Sequence, residues 1–186
     1  MSSASNDSVK IVVVGPKRSG KSSLCNYLSG YKEFSSEYRP TLGLRICECD
    51  REMQSLEKVS VELWDIGGDR NFENGWPAIT KDMNGCIIVY NASNTNHMKD
   101  LEFWYKAFIQ GKVKEECCCV FAHCLSSEEY SKENPIPKLP KSMTKLAATL
   151  TNLDIPDKDK IFSVFDKVVQ AASKDQKENE EKMVLQ

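Results

Sequence analysis

Gly15-Pro16-Lys17-Arg18-Ser19-Gly20-Lys21-Ser22 fits the spacing G-x-x-x-x-G-K-[ST], in which a glycine-rich turn wraps backbone amides around phosphate groups. Val9-Lys10-Ile11-Val12-Val13-Val14 runs into it, an apolar, β-branched stretch that reads as a buried strand. Ser23-Leu24-Cys25-Asn26-Tyr27-Leu28 follows and reads as the start of a helix. Strand, turn and helix therefore come in the order that phosphate binding needs. Gly15 and Gly20 allow the backbone to turn where a β-carbon would clash. The loop amides and the helix N-terminus favour negative charge. Lys21 supplies a point charge for β- and γ-phosphates, and the Ser22 hydroxyl is placed to ligate Mg²⁺. Gly15, Lys17, Arg18, Ser19, Gly20, Lys21, Ser22 and Ser23 form the first part of the candidate nucleotide-binding set. A nucleoside triphosphate with Mg²⁺ is the expected ligand.

The 186 residues suit one domain with a full core. A net charge of −2, with acids and bases mixed along the chain, argues against nucleic-acid binding by bulk electrostatics. No apolar run approaches the length of a membrane span. Residues 1–8 are short and polar, are expected to be disordered, and lack signal-peptide character. The eight cysteines show no paired C-x-x-C spacing. Cys47 and Cys49 share a face of a strand, and Cys117-Cys118-Cys119 opens an apolar run. His123 and Cys124 end that run, which leaves a metal site open beside the preferred reading of buried, reduced thiols.

Outward from the loop, Gly30 to Pro40 reads as a polar and aromatic connection. Leu42 to Cys49 and Val59 to Trp64 alternate in hydropathy and predict a hairpin across a polar turn at Asp50 to Glu57. Asp65 to Asn74 is expected as a loop, Pro77 to Met83 as a short helix and Cys86 to Tyr90 as a buried strand. Met98 to Gln110 places Leu101, Trp104, Tyr105 and Phe108 at helical spacing, and Cys117 to Ala122 is another buried strand. Pro135, Pro137 and Pro140 argue for a polar connection after His123. Asp157 to Ala172 is amphipathic, with Ile161, Phe162, Phe165, Val168 and Val169 on one face. The expected organisation is a domain over 9–173 and a charged tail over 174–186, either helical or disordered. Strands alternating with helices predict a mainly parallel sheet covered on both faces, with ligands beyond the strand C-terminal ends.

Three further signals resemble the Ras-like small GTPases. Tyr38-Arg39-Pro40-Thr41-Leu42-Gly43 is similar to that family's switch I, Trp64-Asp65-Ile66-Gly67-Gly68 to its D-x-x-G motif, and Phe34 stands where the family stacks an aromatic on guanine. The resemblance covers residues 9 to 172. It implies that Ser22, Thr41 and Asp65 hold Mg²⁺, Asp65 through water. It also implies that Gly68 senses the γ-phosphate, that Tyr38 closes over the phosphates, and that GTP or GDP is bound. The implied fold is an α/β P-loop small G domain with a mainly parallel six-stranded sheet, helices on both faces and an irregular region between the fifth strand and the last helix. Its sheet order favours a strand over a helix at Lys145 to Leu150.

A narrower resemblance rests on Glu62-Leu63-Trp64-Asp65, Gly67-Gly68-Asp69, Phe72-Glu73, Trp76-Pro77-Ala78, Lys81-Asp82, Glu102-x-Trp104-Tyr105 and Phe121-Ala122-His123. These look like the family of Rab-like small GTPase subunits of the intraflagellar transport B complex. That family implies the cytoplasm and a cilium or flagellum, with coiled-coil transport subunits as partners.

The chain departs from the wider family at several points. Asp69 stands where small GTPases carry the Gln that orients water, which predicts slow hydrolysis; the alternative is an Asp69 turned to solvent. Lys17 and Arg18 occupy positions that are often small, where a long side chain blocks an external arginine or supplies charge in cis. The guanine-reading N-K-x-D is absent, with His123 and Cys124 in its place, and Thr151-Asn152 lies nearest the usual S-A-K loop. The last cysteine is Cys124, so no prenyl anchor is expected, nor a myristoyl one. The expected function is a GTP-binding adaptor of intraflagellar transport with slow or no turnover. A competent GTPase switch and a nucleotide-independent scaffold are the alternatives. Tyr38 to Leu44 and Asp69 to Trp76 are the expected partner surface, with Phe72 and Trp76 either anchoring the partner or filling the core.

Overall fold

Val12 and Val13, adjacent in the first strand, point into two different cores, and the whole architecture follows from that division. The computed structural model describes residues 8–31, 38–53, 57–124, 138–153 and 158–185. Residues 1–7 of the N-terminus expected to be disordered, Phe34 and most of the polar connection after His123 lie outside them, whereas Ser8 is described and its hydroxyl donates to Glu62 Oε1 at 2.8 Å.

Six strands are described: β1 (Val9–Val14), β2 (Leu44–Glu52), β3 (Lys58–Ile66), β4 (Gly85–Asn91), β5 (Cys118–His123) and β6 (Ala147–Thr151). They form one sheet in the order β2-β3-β1-β4-β5-β6, antiparallel between β2 and β3 and parallel elsewhere. The helices are α1 (Lys21–Leu28), α2 (Trp76–Thr80), α3 (Thr95–Phe108) and α4 (Lys158–Val184). α2 and α3 cover one face, where Trp76, Leu101, Trp104 and Phe108 pack on Val12, Ile88, Tyr90 and Val120. On the other face, α1 and α4 bring Leu24, Leu28, Ile161, Phe165 and Val169 against Ile11, Val13, Ile87 and Phe121. Each such fully buried side chain contributes roughly 1.5–3 kcal/mol. The three consecutive cysteines divide between the faces, Cys118 with the first core and Cys117 and Cys119 with the second. None of the eight cysteines forms a disulfide, and no cluster of metal-ligating side chains occurs among the described residues.

Several boundaries differ from the sequence expectation for physical reasons. β2 runs on to Glu52 because Asp50, Arg51 and Glu52 pair with Ser60, Val59 and Lys58, so the expected turn is partly strand. The expected loop after Asp65 contains a 3₁₀ turn over Arg70–Gly75, started by Asp69, whose carboxylate accepts the Asn71 N–H. The strand expected over Lys145 to Leu150 is present as β6, shifted to Ala147–Thr151. The last helix does not stop at Ala172 but continues to Val184, held at its charged end by Lys114–Asp175 (2.6 Å) and by Lys177 to Glu57. No helix among the described residues is long and apolar enough to cross a membrane.

β1 lies at the centre, with β3 on one side and β4 on the other. The chain leaving β1 passes through α1 toward the β3 side, and the chain leaving β4 moves away toward β5. A crevice opens at such a reversal, beyond the strand C-terminal ends, and the Gly15–Ser22 loop lies there.

Candidate nucleotide site

The loop is held open from beneath by its own lysine. Lys21 Nζ donates to the carbonyls of Pro16 (2.7 Å) and Gly15 (3.0 Å) and reaches Ser19 Oγ at 3.5 Å. Burial pushes its ammonium down to about 8, with Asp65 acting in the opposite direction. An anion in the loop would restore the full charge. Gly20 leads into α1 at φ 90°, and no side chain caps the first turn, so its amides are available to an acceptor. A β-carbon on Gly20 would lie 2.3 Å from His123 Cδ2, and one on Gly15 1.9 Å from the Val89 carbonyl oxygen. Ser19 is buried and Ser23 exposed. Arg18 adopts φ 58° and stacks its guanidinium on the Tyr38 ring, 4.4 Å from the centroid.

The three residues expected to hold the metal converge. Ser22 Oγ lies 2.9 Å from Thr41 Oγ1, which donates to Asp65 Oδ2 at 3.4 Å. Asp65 is fully buried, and its Oδ1 has no hydrogen-bond partner among the described residues. Two hydroxyls beside a buried carboxylate with a spare oxygen are a hard, all-oxygen donor set that fits Mg²⁺.

Gly68 follows at the end of this segment and abuts the phosphate loop directly. A β-carbon there would come within 2.5 Å of the Lys17 nitrogen. Beyond it, Lys17 Nζ and Asp69 Oδ2 form an ion pair at 2.7 Å. The pairing to Lys17 and the Asn71 N–H hold the Asp69 carboxyl below the usual carboxylate range. Asp69 is therefore not turned free into solvent, as one reading of the sequence had it.

On the opposite side, His123 ends β5 with its ring against Gly20, and its Nδ1 lies 3.2 Å from Thr151 Oγ1. The parallel register sets His123 opposite Thr151, and the Cys124 N–H donates to the Thr151 carbonyl at 2.8 Å. His123 thus joins the phosphate loop to the end of β6. The chain's other histidine lies near the loop: His97 Nδ1 accepts the Asn91 N–H at 3.1 Å, and the Lys17 backbone is close to the ring. Burial, with Lys21 nearby, lowers its pKa.

Sequence reasoning missed His97 and Arg45, which reaches Asp65, and named Thr151 only as nearest the usual S-A-K loop. A histidine three residues after the helix-capping Asn94 was the available signal for the first. Of the two readings left open for Trp76, partner anchor and core, the structure takes the core. Trp76 is buried between Phe108 (4.8 Å between ring centroids), Trp104 (5.3 Å) and Phe103 (5.9 Å), whereas Phe72 stays exposed.

The sheet order and loop placement define a small G domain of the Ras type, and the family model described as "Ras of Complex, Roc, domain of DAPkinase" matches residues 10–124. Intraflagellar transport protein 22 homolog of Xenopus tropicalis is 40% identical over 81% of this chain and 82% of its own length. Intraflagellar transport protein 22 of Trypanosoma brucei brucei is 33% identical over 89% and 86%. The chain belongs to the intraflagellar transport protein 22 family. Among solved structures, the T. brucei IFT22/74/81 GTP-bound crystal structure superposes with a TM-score of 0.74 at 33% identity, covering 90% of this chain and 95% of that one. The GDP-bound T. brucei IFT22 crystal structure gives 0.70 at 33% identity, over 89% and 96%.

Proposed function

We propose that this chain is the guanine-nucleotide-binding subunit of an intraflagellar transport B complex, acting as a nucleotide-dependent adaptor in cilium or flagellum assembly. The observation that carries the reading is the convergence of Ser22, Thr41 and Asp65 beside a loop braced by Lys21. In that reading Gly15, Lys17, Arg18, Ser19, Gly20, Lys21, Ser22 and Ser23 embrace the phosphates, and Mg²⁺ is held by Ser22, Thr41 and Asp65. Tyr38 and Gly68 flank the γ-phosphate, and His123 and Cys124 lie toward the base. The solved relatives with GTP and GDP support a guanine nucleotide. Titration calorimetry with GTP, GDP and ATP tests the reading. Binding of GTP and GDP but not ATP is expected, and no binding of either guanine nucleotide refutes it.

Hydrolysis is slow in this account. Asp69 is an acceptor only, its carboxylate engaged by Lys17 and the Asn71 N–H. An ionised carboxylate cannot donate to a γ-phosphate and repels it.

The partner surface includes the hairpin. Leu44 and Ile46 project to the face that α2 and α3 cover elsewhere, and they remain 36% and 46% exposed, with Leu42 at 80% and Phe72 at 39%. This apolar strip, continuous with Thr41 at the metal corner, suits the side of a helix from a coiled-coil subunit. The complex structure of the T. brucei relative with IFT74 and IFT81 supports a protein partner. Pull-down of the coiled-coil subunits with Leu44→Asp, Ile46→Asp protein tests the surface, and undiminished capture counts against it.

A further inference from the structure

Arg45 enters the metal corner from β2, directly opposite Asp65 in the hairpin register. One guanidinium nitrogen, Nη2, lies 3.2 Å from Asp65 Oδ2 and also donates to the Ser22 carbonyl at 3.2 Å. A fixed cation therefore spans the same two residues, Ser22 and Asp65, whose oxygens face the metal position. Neither the phosphate-loop motif nor the D-x-x-G segment calls for a basic residue here. β2 turns its odd-numbered side chains inward, and Arg45 shares that side with Cys47 and Cys49.

A fully buried carboxylate is costly to hold charged without a partner. In a domain whose metal comes and goes with nucleotide, Asp65 would face that cost whenever the site emptied. The guanidinium removes it. A guanidinium is planar and weakly hydrated, so it suits a partly buried ion pair. Its contact falls on Oδ2 and leaves Oδ1 spare, so the arrangement remains compatible with a divalent ion. That ion, however, meets a carboxylate already neutralised and a like charge close by, which lessens what it adds.

We propose that Arg45 is a resident counter-ion for Asp65, a positioning residue that holds the corner together without metal and makes guanine-nucleotide binding only weakly dependent on Mg²⁺. The inference rests on the nucleotide site proposed above.

Two measurements test it. First, GDP affinity of the purified full chain is titrated in millimolar Mg²⁺ and in EDTA. The wild type is expected to lose less than about tenfold on metal removal and Arg45→Ala about a hundredfold, with Arg45→Lys in between. Second, urea unfolding of nucleotide-free protein in EDTA is followed for Arg45→Ala, Asp65→Asn and the double variant. Arg45→Ala should lower the folding constant at least about tenfold with Asp65 present, and less than about threefold with Asn there. Equal Mg²⁺ dependence in wild type and Arg45→Ala, or equal losses in the two backgrounds, overturns the inference while leaving the nucleotide site intact. Absence of GDP binding in both buffers defeats the site reading and this inference with it.

Discussion

Lys17 on the phosphate loop and Asp69 at the start of the following 3₁₀ turn are joined at 2.7 Å, so the segment after β3 is tethered to the loop by a charge pair. In the proposed nucleotide site the two positions flank the γ-phosphate. An incoming phosphate offers Lys17 a stronger partner and repels Asp69, and both effects loosen the tether. Nucleotide state would thereby set the position of the Arg70–Gly75 turn.

Replacing Asp69 by Gln removes the repulsion and restores an amide donor. Phosphate release under multiple-turnover conditions should rise at least about tenfold over wild type. An unchanged rate in a folded variant would mean that the missing amide does not limit turnover.

His123→Ala should loosen two contacts at once, the ring against Gly20 and the Nδ1 link to Thr151. The expected loss is about 1–3 kcal/mol of stability by urea unfolding, with weaker GDP binding in calorimetry. His123→Asn, shorter but able to hydrogen-bond, should recover part of the stability. Equal losses for both variants would assign the effect to ring volume alone.

His97 gives the stability a pH dependence of defined sign. Its folded pKa lies below the ordinary histidine value because the ring is buried near Lys21, with Asp100 opposing. The unfolded chain therefore takes up a proton first as pH falls below about 6.5. Stability should be full above that point, decline as pH drops toward the folded pKa, and level off below it. His97→Gln should flatten the decline in urea midpoints between about pH 7 and pH 5. The same slope in wild type and variant would place the effect elsewhere.

Trp76 and Phe72 separate core from surface within a few residues. Trp76→Ala opens a void among Phe103, Trp104 and Phe108 and should cost about 3–5 kcal/mol. Phe72→Ala should change stability by less than about 1 kcal/mol yet, on the proposed partner surface, reduce capture of the partner subunits. Thermal unfolding and pull-down, run on both, distinguish the two roles.

The phosphate side of the site was legible because its chemistry is local. Eight consecutive residues carry the loop, and Thr41 and Asp65 follow in recognisable settings. The base side was not, because His123 acquires its meaning from Thr151, 28 residues away and brought opposite only by the β5–β6 register. Arg45 stayed hidden for a different reason. Alternation in β2 does not say which side is buried; among the described residues no helix covers Leu44 and Ile46, and the side of Arg45, Cys47 and Cys49 faces α1 and α4. Trp76 was open to two readings because a large aromatic beside a switch serves a core or a partner equally well. Its three ring contacts decide for the core.

The cysteines have a practical consequence. Cys86, Cys118 and Cys119 sit at the middle of the sheet with 0%, 2% and 0% of their surface accessible, and burial raises all three thiols far above their usual acidity range. A thiol reagent reaches them only when β4 and β5 part, while Cys47 and Cys49 are half-open and lie on β2, the strand that carries Arg45. The chain thus carries two clocks of its own. A slow one counts openings of the whole domain, and a faster one registers movement at the edge where nucleotide and partner are proposed to meet.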